Sequence, residues 1–274
     1  GVVTGRWLRT NVNEEFKAAW FGFVVNDRSE DQSAQLQAAI NAARVSNVPT
    51  GQSEKFFGRG TKVTIGSGTF RLTSQITLQP KVALVGQGQY STYLAFNVGD
   101  TVDGMVFNDD ASNTGGKFIE LADFTAVGQR KVAAATGGCH VRDLISLNDI
   151  RCRIKNVRAL GANRHGFYVN KTINSMFENC ISEEALNTAF YITDQASTSA
   201  MFSNCYARQG YNGSAWKVVN AKTVTFIGCI AEAAGSGTAV GPGEGCGLRV
   251  TGASEVSWFG GHFEGNKGAQ VRVD

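Results

Sequence analysis

The sequence predicts an all-β fold, a parallel β-helix over residues 80–274 with a short capping α-helix before it. The first observation is composition: of 274 residues, 33 are glycine, 3 are proline and 18% are charged. That balance is typical of many short strands joined by tight turns. The other two observations are sequence repeats that agree on one coil length.

The first repeat is a seven-residue segment that ends in a polar residue after a sharp bend. Its clearest copies are Phe177–Glu183, Phe202–Arg208, Phe226–Glu232 and Trp258–Glu264. Including three upstream copies, the third positions are Gly86, Asp123, Asn156, Asn179, Asn204, Gly228 and Gly260. These residue types tolerate a left-handed backbone, so we expect the same bend in every coil, with the asparagines stacked as a ladder.

The spacing of the bends gives the coil length. Successive bends lie 37, 33, 23, 25, 24 and 32 residues apart. About two dozen residues accommodate three strands of usual length with their turns. The longer intervals therefore indicate loops inserted into the coil, such as residues 233–246.

The second repeat is a strand triplet with apolar flanks, whose middle residue is expected to face outwards. The triplets are Cys139–Val141, Phe167–Val169, Phe190–Ile192, Trp216–Val218, Leu248–Val250 and Val271–Val273. Their middle residues form one predicted outward column: His140, Tyr168, Tyr191, Lys217, Arg249 and Arg272.

Three of the six cysteines fall in a single column directly after the bend, namely Cys180, Cys205 and Cys229. A zinc site needs ligands that converge on one point, which a straight column does not provide. We therefore expect these cysteines to be buried small apolar residues and predict no metal and no cofactor.

Residues 29–79 are predicted to hold the capping helix and the first strands, after a connecting segment at 1–28. Leu36, Ala39, Ile40 and Ala43 lie on one face at helical spacing. Ser29 and Asp31 are the candidate N-caps. At the other end, Val273-Asp274 falls within a fresh coil, so we expect the coil to be completed by residues not shown here.

The opening of the chain resembles the pectate-lyase superfamily of right-handed parallel β-helices, in the form that bacteriophage tailspikes use. The similar segments are Gly5–Arg9, Trp20–Gly22, Gln35–Ile40, Gly66–Leu72 and Val82–Gly88. The sequence departs at Phe23–Asp27, where the family usually has a Gly-Asp-Gly turn. The resemblance implies a homotrimeric protein of the phage virion that joins other tail proteins through an N-terminal region. It also implies that the protein binds, and often cleaves, a bacterial surface polysaccharide such as capsule, O-antigen or exopolysaccharide.

Charge and hydropathy exclude two other classes of partner. A net charge of +3 without any Lys/Arg run is too small for a nucleic-acid binder. No apolar run approaches the roughly 20 residues of a membrane-spanning helix, so no membrane insertion is expected.

The outward column is the first candidate site, for sugar binding. The stacked Tyr168 and Tyr191 offer flat faces to sugar rings, and Lys217 and Arg249 suit acidic sugars or phosphate. His140 begins the column. A solvated strand face or a trimer contact explains the same pattern.

The last position of the seven-residue repeat is the second candidate site, for catalysis. It reads Leu160, Glu183, Arg208, Glu232 and Glu264. Glu183 and Glu232 lie two coils apart, on the order of 9.6 Å, which is compatible with an inverting glycosidase, whereas Glu232 and Glu264 are closer. Arg208 binds substrate in this hypothesis. In the alternative, it belongs to a structural ion-pair ladder.

Three functions stay open at this point, beside a bacterial surface-polysaccharide enzyme unrelated to phage. The first is a tailspike that hydrolyses its polysaccharide with Glu183, Glu232 and Glu264. The second is a non-catalytic receptor-binding or structural spike. The third is a polysaccharide lyase, for which Tyr191 and Lys217 are candidate bases, although the acidic cluster that binds calcium in pectate lyases is not recognisable.

Overall fold

The computed structural model describes residues 15–24, 30–46, 61–108, 118–128, 141–148, 151–237, 239–253 and 255–274. Its strands pair in parallel throughout, each with the equivalent strand of the next coil, and this confirms the parallel β-helix.

The strands of the first half are β1 (Glu15–Lys17), β2 (Thr61–Thr64), β3 (Gly68–Leu72), β4 (Ile76–Thr77), β5 (Val82–Val85), β6 (Thr92–Phe96), β7 (Met105–Asn108), β8 (Phe118–Val127), β9 (Ile145–Asn148), β10 (Arg151–Leu160) and β11 (His165–Asn170). Those of the second half are β12 (Met176–Glu178), β13 (Ile181–Glu183), β14 (Thr188–Thr193), β15 (Ala200–Ser203), β16 (Tyr206–Arg208), β17 (Trp216–Val219), β18 (Thr223–Ile227), β19 (Ile230–Glu232), β20 (Leu248–Thr251), β21 (Glu255–Phe259), β22 (His262–Glu264) and β23 (Val271–Val273).

These strands form three faces. Sheet 1 has eight strands, in the order β23-β20-β17-β14-β11-β9-β7-β4. The fifteen-stranded remainder bends along its length into two faces that share β8 and β10. Sheet 2 follows the path β1-β2-β5-β8-β10-β12-β15-β18-β21, and sheet 3 comprises β3, β6, β8, β10, β13, β16, β19 and β22. Parallel pairing reaches back to β1 and β2, so the coils extend upstream of residue 80.

The bend between sheets 2 and 3 is made by the predicted column. Asp123, Asn156, Asn179 and Asn204 all have left-handed backbones, with φ between 50° and 61°. The side chains bond along the column: Asn156 Nδ2 donates to Asp123 Oδ1 at 2.8 Å and Asn179 Nδ2 donates to Asn156 Oδ1 at 3.3 Å. The ladder therefore stabilises the same corner in successive coils.

Gly86 is an exception to the predicted left-handed column. Its φ lies outside the left-handed region, whereas Gly228 and Gly260 have φ of 62° and 65°. A Cβ at Gly86 would collide with the carbonyl oxygen of Asp123 in the next coil. Glycine is needed there for close approach of two backbones.

Stacked aromatic side chains fill the interior. Phe167, Phe190 and Trp216 form one buried stack with centroids 4.6 and 4.1 Å apart. Phe177 and Phe202 form a second, 4.4 Å apart, under sheet 2. Because these stacks repeat along the axis, each coil buries its apolar flank against the next.

The cysteine column is buried as expected. Cys180, Cys205 and Cys229 are free thiols with no exposed surface. Burial raises the pKa of Cys205 well above that of an ordinary thiol. Such a thiol stays protonated, which disfavours metal ligation and nucleophilic chemistry.

The capping helix α1 runs from Ser33 to Ser46. Its four predicted apolar positions are fully buried against the first coils. The Asp31 carboxylate accepts the Ser33 backbone N–H at 3.1 Å, while Ser29 lies outside the described residues. In the described part of the chain, no helix has the length and apolar character that crossing a membrane requires.

Candidate functional site

The outer face of sheet 1 carries the predicted outward column from Tyr168 onwards. Strand register pairs Tyr168 with Tyr191, Tyr191 with Lys217, Lys217 with Arg249, and Arg249 with Arg272. Five successive coils thus place one polar or aromatic side chain each at the same point. We call these five residues the outer row.

At the start of that column the strand register differs from the predicted one, while the binding role of His140 stays a prediction. Tyr168 pairs with Ser146 of β9, which in turn pairs with Val106. His140 lies outside the described residues, and its predicted position beside Tyr168 is occupied by Ser146. Ile145-Ser-Leu147 has the same apolar-polar-apolar pattern as the triplet at 139–141, so the pattern alone could not choose between them.

The tyrosine rings of the outer row stack on one another. Tyr168 and Tyr191 are 5.7 Å apart between centroids and only 7° from parallel. The Arg164 guanidinium lies 5.3 Å from the Tyr168 centroid and Lys217 Nζ 5.9 Å from that of Tyr191. Parallel rings at this separation are offset-stacked along the coil axis. Each ring therefore turns one face towards the other, and sugar stacking on the remaining faces stays a prediction.

His165 completes the aromatic stack, although no pattern in the sequence pointed to it. Its ring lies 4.7 Å from that of Tyr191 and is stacked at 12°. Burial, together with the charges of Arg164 and Lys217, lowers the pKa of His165 to about 3. The imidazole is thus neutral near pH 7, and its Nδ1 has no hydrogen-bond partner among the described residues.

Two carboxylate–arginine pairs lie at the start of the row. Arg142 Nε donates to Asp103 Oδ1 at 2.7 Å, and Arg164 Nε donates to Asp143 Oδ1 at 2.9 Å. The Asp143 carboxylate is fully buried, and its burial raises its pKa despite Arg164. The Arg142 and Arg164 side chains stay partly exposed, 42% and 39%.

Tyr168, the stacked neighbour of the candidate lyase base Tyr191, has a raised pKa. Burial and the neighbouring Tyr191 raise it above the ordinary tyrosine value. A tyrosine with a raised pKa keeps its proton near neutral pH, so it suits a hydrogen-bond donor better than a general base.

The cations further along the row are already paired. Lys217 Nζ contacts Glu244 Oε1, and Arg249 Nη1 donates to the same oxygen at 2.7 Å. Arg249 Nε also donates to Asp274 at 2.9 Å. Glu244 belongs to the inserted loop at 233–247, so the sequence could predict the loop but not where its carboxylate would lie.

The second candidate site lies on the outer face of sheet 3. Register aligns Leu160, Glu183, Arg208, Glu232 and Glu264 as predicted. Arg158 Nε donates to Glu183 Oε2 at 2.6 Å. Arg208 lies between the two acids, 3.9 Å from Glu183 and 3.5 Å from Glu232. Glu183 and Glu232 are thus linked by ion pairs through Arg208, whose Nε forms no hydrogen bond among the described residues.

The rest of this column is engaged too. Tyr206 Oη donates to Glu232 Oε2, and burial with this contact raises the Tyr206 pKa. Glu264 is exposed and lies 2.8 Å from His262 Nε2. Among the described residues, no group of three or more His, Cys, Asp or Glu side chains could hold a metal ion.

Solved structures share this fold. No protein-family model and no curated protein matches the sequence. A structure of Geobacillus virus E2 ORF18 superposes with TM-score 0.62 at 15% identity, over 95% of this chain and 61% of that one. The pre-mature gene product 12 of bacteriophage phi29 superposes with TM-score 0.65 at 16% identity, over 93% of this chain and 33% of that one. The gp42 tailspike of Acinetobacter phage vb_AbaP_AS12 superposes with TM-score 0.59 at 12% identity, over 95% of this chain and 47% of that one.

These similarities establish the fold. The parallel β-helix that the resemblance to tailspikes implied is confirmed. The chain spans about three fifths of the ORF18 structure and one third of the gene product 12 structure.

Proposed function

We propose that this chain belongs to a phage tail spike and binds a bacterial surface polysaccharide at the host cell surface. Its fold is shared with three phage proteins, one of which is described as a tailspike. Assembly as a homotrimer, joined to other tail proteins, belongs to the same proposal.

The outer row carries this proposal. It runs along the axis of the β-helix, with one side chain every ~4.8 Å. Tyr168 and Tyr191 present hydroxyl groups, and Arg142 and Arg164 extend the donors beyond them. A straight strip of regularly spaced donors suits a linear polymer with many hydroxyl acceptors, and rigid strands hold it in place before binding.

The test removes the two hydroxyl groups and nothing else. Phenylalanine keeps the ring stack, so the double variant Y168F/Y191F is expected to fold as the wild type does. Losing two hydrogen bonds is expected to weaken binding of purified host polysaccharide on the order of ten-fold. Isothermal titration calorimetry measures this.

The matched control is Y206F, which removes one tyrosine hydroxyl from sheet 3. It is expected to bind as the wild type does. If Y168F/Y191F binds with wild-type affinity, or if Y206F alone loses binding, the outer row is not the binding site.

Glycoside hydrolysis is the second candidate function. The observation that favours it is the register of sheet 3, which puts Glu183 and Glu232 two coils apart, on the order of 9.6 Å. The ion pairs with Arg158 and Arg208 favour a structural ladder instead. Glu264 is the third predicted catalytic residue, with Arg208 as substrate contact.

Polymer length decides between binding and cleavage. A hydrolase shortens host polysaccharide, and E183Q or E232Q is then expected to lose about 100-fold or more in rate. E178Q is the control, because Glu178 on sheet 2 also forms an ion pair, with Lys155 at 3.3 Å. An unchanged chain length with saturable binding supports the non-catalytic spike, and unsaturated product ends support the lyase.

A further inference from the structure

Three donors from the body of the β-helix converge on the carboxylate of Glu244. Lys217 Nζ contacts Oε1, Arg249 Nη1 donates to Oε1 at 2.7 Å, and Ser214 Oγ donates to Oε2 at 3.0 Å. Lys217 and Arg249 are direct neighbours in the register of β17 and β20. Strands thus hold the cations in place, and both carboxylate oxygens are satisfied.

Glu244 reaches this position from a loop. Fifteen residues, 233–247, separate β19 from β20, against seven, 209–215, between β16 and β17. Gly243 and Gly245 on either side of Glu244 have left-handed φ of 74° and 77°. The donors therefore belong to the scaffold, whereas the carboxylate is carried by an insertion.

The occupied position adjoins the aromatic part of the outer row. Lys217 Nζ lies 5.9 Å from the Tyr191 ring centroid while it contacts Glu244. Glu244 keeps 14% of its side chain exposed, Lys217 20% and Arg249 18%, so the group opens to solvent at the protein surface. A polymer lying along the row would reach these donors from Tyr191.

We propose that Ser214, Lys217 and Arg249 form a carboxylate-binding subsite for an acidic sugar, which Glu244 occupies until that sugar displaces it. This inference rests on the proposed function and narrows its ligand to a polysaccharide that contains uronic acid. Glu244 itself demonstrates that the donors fit a planar carboxylate, for which charge-assisted bonds to Lys and Arg are strong.

Chemical rescue tests the subsite. In the variant E244A, Lys217 loses its carboxylate partner and Arg249 keeps only Asp274, so the melting temperature is expected to fall. D-glucuronate is expected to raise it again in a saturable way, because a ligand that binds only the folded protein stabilises it by mass action. D-glucose, which lacks the carboxylate, is expected to leave it unchanged. Inorganic phosphate is also expected to leave the melting temperature unchanged, because a rise with phosphate would indicate a general anion site.

Three further variants complete the test. In K217A/E244A the response to glucuronate is expected to disappear. E244Q retains the size of the side chain, and it is expected to bind an oligogalacturonate on the order of ten-fold more tightly than wild type, but not the methyl ester of the same oligomer. E178Q, which removes a carboxylate from sheet 2, is expected to bind as wild type does.

The proposal is overturned if glucose or phosphate rescues E244A as well as glucuronate does, or if E244Q binds the acid and its ester alike. Failure of the proposed function looks different. In that case, wild type binds no host polysaccharide, or Y168F/Y191F binds it unchanged, whatever E244A does with glucuronate.

Discussion

At the residue scale, the residue types at the bends between sheets 2 and 3 determine the left-handed backbone conformation there. Asn156 has a φ of 51° and bonds to Asp123 at 2.8 Å. A left-handed backbone costs an ordinary L-residue about 1–2 kcal/mol, and asparagine and glycine less. Asparagine thus serves both the corner and the ladder.

Substitution of Asn156 is expected to separate these two effects. N156A loses the side-chain bonds to Asp123 and Asn179 and keeps a Cβ in the left-handed region, so it is expected to destabilise the protein by about 3–4 kcal/mol. N156G loses only the two bonds and is expected to cost about 2 kcal/mol. Thermal melts measure both, and equal melting temperatures for the two variants would contradict the role given to the left-handed corner.

His165 makes a second residue-scale prediction, on acid stability. Its pKa is lowered to about 3 in the folded protein, whereas an unfolded histidine titrates near 6.5. As pH falls from about 6.5 towards 3, the unfolded chain binds the extra proton and the folded protein does not. The free energy of unfolding therefore falls over this window, by on the order of 1.4 kcal/mol per pH unit for one buried histidine.

The variant H165F keeps an aromatic ring in the stack and removes this titration. Its urea midpoint is expected to fall less between pH 7 and pH 4 than that of wild type. H262Q, which removes an exposed histidine outside this stack, is the control. A slope in H165F equal to that of wild type would refute this origin of acid sensitivity.

At the element scale, coils stack closely enough that some positions exclude even a methyl group. A Cβ at Gly86 would strike the Asp123 carbonyl of the adjoining coil, whereas one at Gly241 would meet only the flexible Glu244 side chain at 3.8 Å. G86A is expected to cost about 1–3 kcal/mol or more, because backbone must move, and G241A to cost little. Similar melting temperatures for G86A and G241A would show that the coil spacing adapts.

The elements were largely predictable because each coil repeats the same physical problem. The apolar residues of each strand must face inwards. Phe177, Phe202 and Phe226 therefore indicate one column of strands. Phe167 and Phe190 indicate another. Prediction failed where an insertion breaks the period. Between Phe107 and Phe167 the pattern predicts the strand at 139–141, whereas Ile145–Leu147 lies in the strand that pairs with β11.

The candidate sites were predictable only as far as the Cα positions. Register placed Tyr191 beside Lys217 and Glu183 two coils from Glu232, as the columns required. Ring orientation and ion pairing depend on groups outside the columns, such as Arg158 and Glu244. Loop residues approach from long sequence distances, and periodicity carries no information about them.

At the scale of the whole molecule, the homotrimer stays a prediction. The apolar residues that motivated it, Ile181 and Ile230, are half-buried, while Ile227 and Phe259 on sheet 2 are 41% and 61% exposed. Light scattering is expected to give three times the chain mass of 29.2 kDa. A mass of one chain at micromolar concentration would contradict the assembled spike.

Two faces of the molecule compete for the role of binding site. On sheet 1, the outer row offers the hydroxyl groups of Tyr168 and Tyr191, while its cations are paired with carboxylates. On sheet 3, Glu183 and Glu232 are paired with arginines. A structure with a bound fragment of the host polysaccharide separates them most directly. The sugar is expected to lie along sheet 1, bonded to the hydroxyl groups of Tyr168 and Tyr191. A sugar bound on sheet 3 between Glu183 and Glu232 would contradict this account.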